Sequence, residues 1–228
     1  GSLVSMLVSA LAYTLGAVFA WEWVRWIGLA AAAMEVFALI MSLHADFTSY
    51  SPGANDNASG VGVVFGLAQH LAQEPLAHTE VRLVFTGCEE AASYGIVSFL
   101  DSHASELGKD TVYIIIDQVG FGHLCYLTSD GLVRKHTTHP HALELARTAA
   151  DTQHDVITTE RVGLAYTDAV PATKRNLVAL TLCALPPSGS DETIHRHQMT
   201  DTLDHIDPQA LADAHALVWQ ILMDIDRT

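Results

Sequence analysis

The chain has 228 residues, which is long enough for one sizeable domain with an appended segment. Half of the residues are apolar and only 16% are charged, a composition that excludes intrinsic disorder. Acidic residues outnumber basic ones by 26 to 11, so nucleic acid is excluded as a partner. Three cysteines without Cys-x-x-Cys spacing argue against a disulfide scaffold and a structural zinc ribbon.

The N-terminal part of the chain is strongly apolar. Residues 3–20 carry no charge, and residues 27–43 carry a single acid, Glu35. Each run is close to the length of about 17–25 residues that a membrane span needs, and the Trp-rich segment between them resembles an interfacial belt. We expect either a membrane hairpin or two buried helices, the second running into a strand at residues 37–43. The hairpin would make the protein membrane-associated or extracytoplasmic.

From about residue 45 onward, helical patterns alternate with apolar strands. A turn-forming segment, residues 51–60, precedes a helix that begins near Ser59, and an amphipathic helix is predicted over residues 208–225. Strands are predicted at residues 81–86, 111–116, 123–128 and 177–182, and further helices at 93–107 and 141–152. This alternation predicts an α/β fold with three α/β/α layers and a central, mostly parallel mixed sheet. We therefore expect an apolar helical segment at 1–43 and an α/β domain at 44–228.

Polar residues follow the predicted strands where ligand sites of such sheets lie. They are His44, Asp46, Glu89, Glu90 and Asp117, with Asp56 in the turn segment and His197 near the C-terminus. Carboxylate and imidazole groups together suit zinc, manganese or cobalt. A bound cation also relieves the repulsion among crowded carboxylates. The sequence therefore predicts a metal site at one edge of the sheet.

Four motifs occur in a fixed order along the domain. They are GANDNASG at residues 53–60, GCEE at 87–90, IIID at 114–117 and HxxxDTxDxID at 197–207. With these motifs, the chain from about residue 44 to 225 resembles the co-catalytic zinc aminopeptidases, whose superfamily includes glutamate carboxypeptidase and glutaminyl cyclase. The resemblance implies a zinc-dependent aminopeptidase with two zinc ions, which hydrolyses the first peptide bond of a peptide with a free N-terminus.

The resemblance also implies a role for each site residue. The implied metal ligands are His44 and Asp117 on the first ion, Glu90 and His197 on the second, and Asp56 bridging both. Glu89 is the implied general base, since a free carboxylate beside the metals can accept a proton from water and pass it to the leaving amine. Asp46 is expected to orient the ring of His44. The peptide bond between Asp56 and Asn57 is expected to be cis.

Other polar residues near these motifs receive supporting roles. Asp201 is predicted to support the loop of His197 rather than to bind metal, and Asp168 is predicted to be structural. Arg196 stands where several relatives carry a tyrosine, so it either steadies the oxyanion or points to solvent. The three cysteines, Cys88, Cys125 and Cys183, are predicted to be core thiols.

Two alternatives to the aminopeptidase remain open at this point. One is a glutaminyl-cyclase-like acyltransferase that uses a single zinc ion. The other is a catalytically inactive, peptidase-like binding module on a membrane stalk. Both depend on His44, because some membrane-associated relatives insert apolar helices before GANDNASG. In such a protein the first-metal histidine would lie upstream of residue 1, and His44 would be a chance match.

Overall fold

A computed structural model describes residues 2–19, 21–108, 110–163, 165–186 and 194–227 of the chain. The chain divides into two compact units, Gly1–Tyr50 and Ser51–Thr228. The described elements of the first unit are two helices, and the second unit is an α/β domain. The helical part extends beyond residue 43, the end expected from the sequence, because its second helix continues to Phe47.

The N-terminal unit is a pair of helices, α1 (Ser2–Phe19) and α2 (Glu22–Phe47), packed against each other. The hydroxyl of Ser9 donates a hydrogen bond of 3.1 Å to the carboxylate of Glu35, so this acid has a partner on the facing helix. The expectation of a strand at residues 37–43 is wrong, since they belong to α2. By length and composition, Glu22–His44 is long and apolar enough to cross a membrane.

The α/β domain contains a mixed sheet of five strands. These are β1 (Val112–Ile116), β2 (His123–Asp130), β3 (His136–Thr137), β4 (Thr158–Val162) and β5 (Val178–Leu185). β1 runs parallel to β5, β5 antiparallel to β2, and β2 pairs with β4 in parallel and with β3 in antiparallel orientation. The helices are α3 (Ser59–Gln73), α4 (Tyr94–Ser102), α5 (Pro140–Thr152), α6 (Ala169–Lys174) and α7 (Pro208–Asp226).

Helices cover both faces of this sheet, which confirms the three-layer architecture. Val178, Leu180 and Leu182 of β5 pack into the larger core cluster with α3, α5 and α7. The intervening Ala179 packs on the opposite face with α4 and α6. Because both faces of β1 and β5 are covered, these strands read as continuous apolar runs rather than alternating ones.

The strand predicted at residues 81–86 does not form. The segment has no regular secondary structure, and Leu83, Val84 and Phe85 are exposed by 38%, 39% and 51%. Among the described residues β1 pairs only with β5, so its other edge has no partner strand. A cavity of about 970 Å³ is lined both by this segment and by all of β1. The residues have strand composition, but a strand also needs a neighbour for its backbone groups.

Candidate metal centre

Asp56 is presented by an irregular helical turn, Ala54–Ala58, that leads directly into α3. The peptide bond between Asp56 and Asn57 is cis, as the resemblance implied. The side chain of Asn57 then joins this turn to the end of β1. Its amide donates to the carbonyl of Ile116 at 2.9 Å, and its oxygen accepts from the N–H groups of Gly60 and Gln118.

Asp201 fixes the same turn from the C-terminal part of the chain. Its two carboxylate oxygens accept hydrogen bonds from the N–H groups of Asn55 and Asp56, at 2.7 and 3.1 Å. The side chain is completely buried. Asp201 therefore supports the turn of Asp56, a contact that the prediction of a support for the His197 loop did not include. It holds the turn of Asp56 as well as belonging to the loop of His197.

Glu89 and Glu90 lie in a tight loop between residues 81–86 and α4. Cys88, directly before them, has a left-handed backbone with φ of 57°. The loop is closed by a hydrogen bond of 2.8 Å from the N–H of Ser93 to the carbonyl of Glu89. Gly95 approaches Gly87 so closely that a Cβ there would lie 2.2 Å from the Gly87 carbonyl oxygen.

Asp117 ends β1, where its N–H donates to the carbonyl of Leu182 on β5 at 3.0 Å. The following residue, Gln118, is left-handed with φ of 56°, so the chain turns sharply after the aspartate. Asp117 lines the cavity together with Asp56, Glu89 and Glu90. The strand-end argument from the sequence therefore holds for Asp117, because it leaves the sheet at the carboxyl end of the half-buried strand β1.

His197 completes a three-residue group with Asp56 and Glu90. Its Nε2 lies 2.7 Å from Oε1 of Glu90 and 3.1 Å from Oδ2 of Asp56. Its own backbone is left-handed, with φ of 58°. The neighbouring His195 instead pairs with the hydroxyl of Thr200 and stacks on His205.

These three side chains fit a divalent metal ion such as zinc. One ligand atom from each of Asp56, Glu90 and His197 lies within 4.8 Å of the other two, and the set mixes carboxylate oxygen with imidazole nitrogen. Oδ2 of Asp56 is buried and accepts no hydrogen bond from the described residues. Such an oxygen is costly to bury unless a bound cation, or a proton on the imidazole of His197 3.1 Å away, neutralises it.

Carboxyl pKa values in the site are raised because several acids share one partly buried space. Burial, followed by the charges of Asp117 and Glu90, raises the pKa of Glu89 to about 8. Burial and the charge of Asp56 raise the pKa of Asp117 to about 7. The pKa of Asp56 is also raised, first by burial and then by Glu90. Such mutual repulsion is what bound cations relieve.

Two further residues reach the site. Nε of Arg196 lies 3.7 Å from Oδ2 of Asp56 and 3.3 Å from Nε2 of His197, so this side chain turns toward the ligands. Asp168, predicted to be only structural, lines the same cavity and accepts a hydrogen bond of 2.6 Å from the hydroxyl of Thr86. Its charge contributes to the raised pKa of Glu89. Asp168 follows a loop rather than a predicted strand, so the sequence pattern did not indicate that it lines the cavity.

His44 is the one predicted ligand outside the α/β domain. It lies in the last turn of α2 and is exposed. The expected strand before it is helical, so the strand-end argument does not apply to it. Its role as a ligand stays a prediction. The side chain of Asp46, expected to orient the His44 ring, lies outside the described residues.

Comparison with known proteins identifies the family to which this chain belongs. The sequence model of peptidase family M28 matches residues 30–222. Aminopeptidase YwaD of Bacillus subtilis (strain 168) is 28% identical over 186 residues, which cover 78% of this chain and 39% of the relative. The chain therefore spans less than half the length of that relative.

Solved structures agree with the fold. BSAP, a zinc aminopeptidase from Bacillus subtilis, superposes with a TM-score of 0.64 at 24% identity, covering 78% of this chain and 43% of that one. A glutaminyl cyclase from an Acidobacteriales bacterium also matches, with a TM-score of 0.55 at 20% identity over 77% of this chain and 62% of that one. At these identities the two structures establish the fold alone.

Proposed function

Because the chain belongs to peptidase family M28, we propose that it is the metal-binding part of a zinc-dependent aminopeptidase. The observation that carries this proposal is the convergence of Asp56, Glu90 and His197 beside a further carboxylate, Glu89. A buried carboxylate oxygen that accepts no hydrogen bond from the described residues supports a metal site over a merely solvated acidic surface. The YwaD relative, named as an aminopeptidase, supports the same class of reaction.

Two zinc ions are proposed for each chain. Glu90 and His197 would hold one, Asp117 and the predicted ligand His44 would hold the other, and Asp56 would be a ligand common to both. The raised pKa values of Asp117 and Asp56 support this arrangement, since their charges oppose each other without a cation between them. Zinc held there would polarise the substrate carbonyl and lower the pKa of a coordinated water toward neutrality.

Glu89 is the proposed general base. Glu89 follows residues 81–86 in the same loop as Glu90. It lines the cavity but does not belong to the group formed by Asp56, Glu90 and His197. Its carboxylate holds the proton taken from the attacking water and transfers it to the nitrogen of the leaving group. Positive charge held by Asp56 and Glu90 would lower the pKa of Glu89 from its raised value, leaving it ionised at neutral pH.

The proposed substrate is a short peptide with a free N-terminus. Five carboxyl groups line the cavity at this end, those of Asp56, Glu89, Glu90, Asp117 and Asp168. Such a concentration of negative charge attracts an ammonium group. The guanidinium of Arg196 turns toward Asp56. It is therefore placed to stabilise the negative charge that develops on the carbonyl oxygen of the substrate.

Membrane association is proposed for the N-terminal unit. Large apolar side chains of α1 and α2 are exposed, among them Leu7, Leu11, Trp26, Phe37 and Leu39. A helical pair with so much exposed apolar surface is stabilised by lipid, and α2 contains a stretch of sufficient length. Purification in detergent is therefore the appropriate starting point for every experiment below.

The proposal is tested by zinc content and peptide hydrolysis on the same detergent-solubilised preparation. We expect close to two zinc ions per chain by elemental analysis, together with release of 4-nitroaniline from aminoacyl-4-nitroanilides. N-acetylation of those substrates should abolish the release, because the free ammonium is lost. Protein that takes up no zinc on titration would contradict the site itself.

The same preparation separates the alternatives. Cyclisation of an N-terminal glutaminyl peptide, with one tight zinc ion and no hydrolysis, would favour the cyclase-like acyltransferase, whose fold the Acidobacteriales enzyme shares. Bound zinc without either activity would favour the inactive binding module.

A further inference from the structure

Two of the three cysteines face each other across the sheet. Cys125 of β2 and Cys183 of β5 are directly opposite in the antiparallel register. Their sulfur atoms lie 3.3 Å apart, and the residues are 0% and 9% exposed. They form a small cluster of their own with Leu127 and Leu185.

This geometry suits a covalent bond with little movement of the backbone. Residues directly opposite in an antiparallel pair have Cα atoms about 4.5–5.5 Å apart. A disulfide accepts Cα separations of about 4.4–6.8 Å. We propose that Cys125 and Cys183 are a modification site that forms a cross-strand disulfide when the protein meets a small peroxide. The two sulfurs then need only approach each other by the difference between contact and bonding distance.

The reaction balances with hydrogen peroxide as the two-electron oxidant. The sulfur of Cys125 attacks one peroxide oxygen, the O–O bond breaks, and a sulfenic acid and one water are formed. The sulfur of Cys183 then attacks the sulfenic sulfur, its proton leaves with the hydroxyl group as a second water, and the S–S bond forms. The order in which the two sulfurs react is interchangeable, since either thiol can donate the hydrogen bond between them; Cys125 is written first because its contact with Cys183 lowers the pKa of its thiol.

The bond would form next to the metal centre. Leu182, just before Cys183, accepts the hydrogen bond from the N–H of Asp117, and Ala184, just after it, donates to the carbonyl of Gln118. A disulfide would therefore tie β2 to the part of β5 that positions Asp117. It would also close a loop between positions 58 residues apart, which restricts the unfolded chain and stabilises the fold.

The test uses the full chain in detergent with Cys88→Ser, which removes the exposed thiol. Protein treated with hydrogen peroxide is unfolded and alkylated with iodoacetamide, and its intact mass is measured by mass spectrometry before and after alkylation. We expect an intact mass lower by two hydrogen atoms before alkylation, no alkylation of Cys125 or Cys183, and full recovery of alkylation after reduction. A cross-linked peptide containing both residues should appear after proteolysis.

The matched control is Cys88→Ser with Cys183→Ser, which leaves Cys125 alone. We expect no loss of two hydrogens there, and no rise in the urea midpoint on peroxide treatment, whereas the two-cysteine protein gains stability. Two thiols that remain alkylatable, or that gain oxygen without a cross-link, would overturn the proposal. The proposal would also be overturned if Cys125 in the single-cysteine control escaped alkylation after peroxide treatment and regained it after reduction.

Discussion

The carboxylate of Asp201 binds the backbone of Asp56, a residue 145 positions earlier in the chain, through a hydrogen bond of 3.1 Å to its N–H. The second oxygen of Asp201 binds the N–H of Asn55. Through these two bonds the loop before α7 fixes the turn that carries Asp56, the proposed central metal ligand. The position of Asp56 therefore depends on a residue outside the proposed ligand set.

Replacing Asp201 with alanine should destabilise the domain and reduce its zinc content. Two buried N–H groups lose a charged acceptor, which costs about 2–4 kcal/mol of unfolding free energy. Urea unfolding and elemental analysis measure the two effects. The control is Asp207→Ala, which removes only the exposed N-cap of α7. It should cost about 1 kcal/mol and leave zinc in place. Full zinc content in Asp201→Ala would show that the turn holds its shape without this anchor.

Glu89→Gln and Glu90→Gln should separate catalysis from metal binding. Glutamine keeps the size of the side chain but accepts no proton, so Glu89→Gln should reduce hydrolysis on the order of 10²–10⁴-fold while retaining zinc. Glu90→Gln should lose zinc, because it removes a ligand whose Oε1 contacts His197. Elemental analysis and a 4-nitroanilide assay check both variants. The reverse pattern would exchange the two roles.

Stability of the metal-free protein should fall as the pH rises toward 8. In the folded state the pKa of Glu89 is about 8 and that of Asp117 about 7, against 4.5 and 3.8 ordinarily. The folded state thus keeps protons that the unfolded chain has already released, so ionisation at higher pH opposes folding. Urea midpoints of chelator-treated protein at about pH 5 and about pH 8.5 measure this.

Added zinc should cancel this pH dependence, because the ion replaces the protons on the carboxylates. Glu89→Gln should flatten the metal-free curve. A metal-free midpoint that rises over the same interval would mean that the acids are well hydrated and that the raised pKa values are wrong.

Two glycines of α3 should respond oppositely to alanine. A Cβ on Gly60 would lie 2.3 Å from the carbonyl oxygen of Ile116, whereas a Cβ on Gly62 would meet nothing within 4 Å. Gly60→Ala should therefore cost about 2–3 kcal/mol and disturb the neighbouring Asn57. Gly62→Ala should be neutral or stabilise by up to about 1 kcal/mol through helix propensity. Thermal unfolding compares the two, and equal effects would contradict the close approach of α3 to β1.

His44→Ala should lower the zinc content from two ions to one if His44 is a ligand of the first metal. The ion held by Glu90 and His197 should remain, since those ligands are unchanged. His154→Ala, at an exposed histidine beyond α5, is the matched control and should keep both ions. Unchanged stoichiometry in His44→Ala would remove this residue from the ligand set.

The sequence predicted the buried elements well, because their apolar patterns report directly on packing. β1, β2, β5, α3, α5 and α7 all lie near their predicted positions. β4 was missed, since its residues, TTERV, are mostly polar and only half-buried, without an apolar run. Residues 37–43 were ambiguous for another reason: a short apolar run does not distinguish a strand from part of a helix.

The candidate site was predictable where a motif fixed the local backbone. Asp56, Glu90 and His197 converge, although nothing in the spacing of single residues shows that Asp201 holds the turn or that Asp168 reaches the cavity. Those relationships depend on contacts between distant segments. The failure at residues 81–86 has the same origin, because pairing depends on a neighbour that composition does not specify.

The unpaired edge of β1 also affects how the protein behaves at high concentration. Among the described residues this edge of five apolar residues pairs with no strand, and such an edge is a template for intermolecular strand pairing that natural sheets normally shield with charge, proline or a covering segment. The exposed Leu83, Val84 and Phe85 add a second apolar surface, beside the same cavity, at which molecules can associate. We therefore expect association of this domain at high concentration to begin at this side of the sheet.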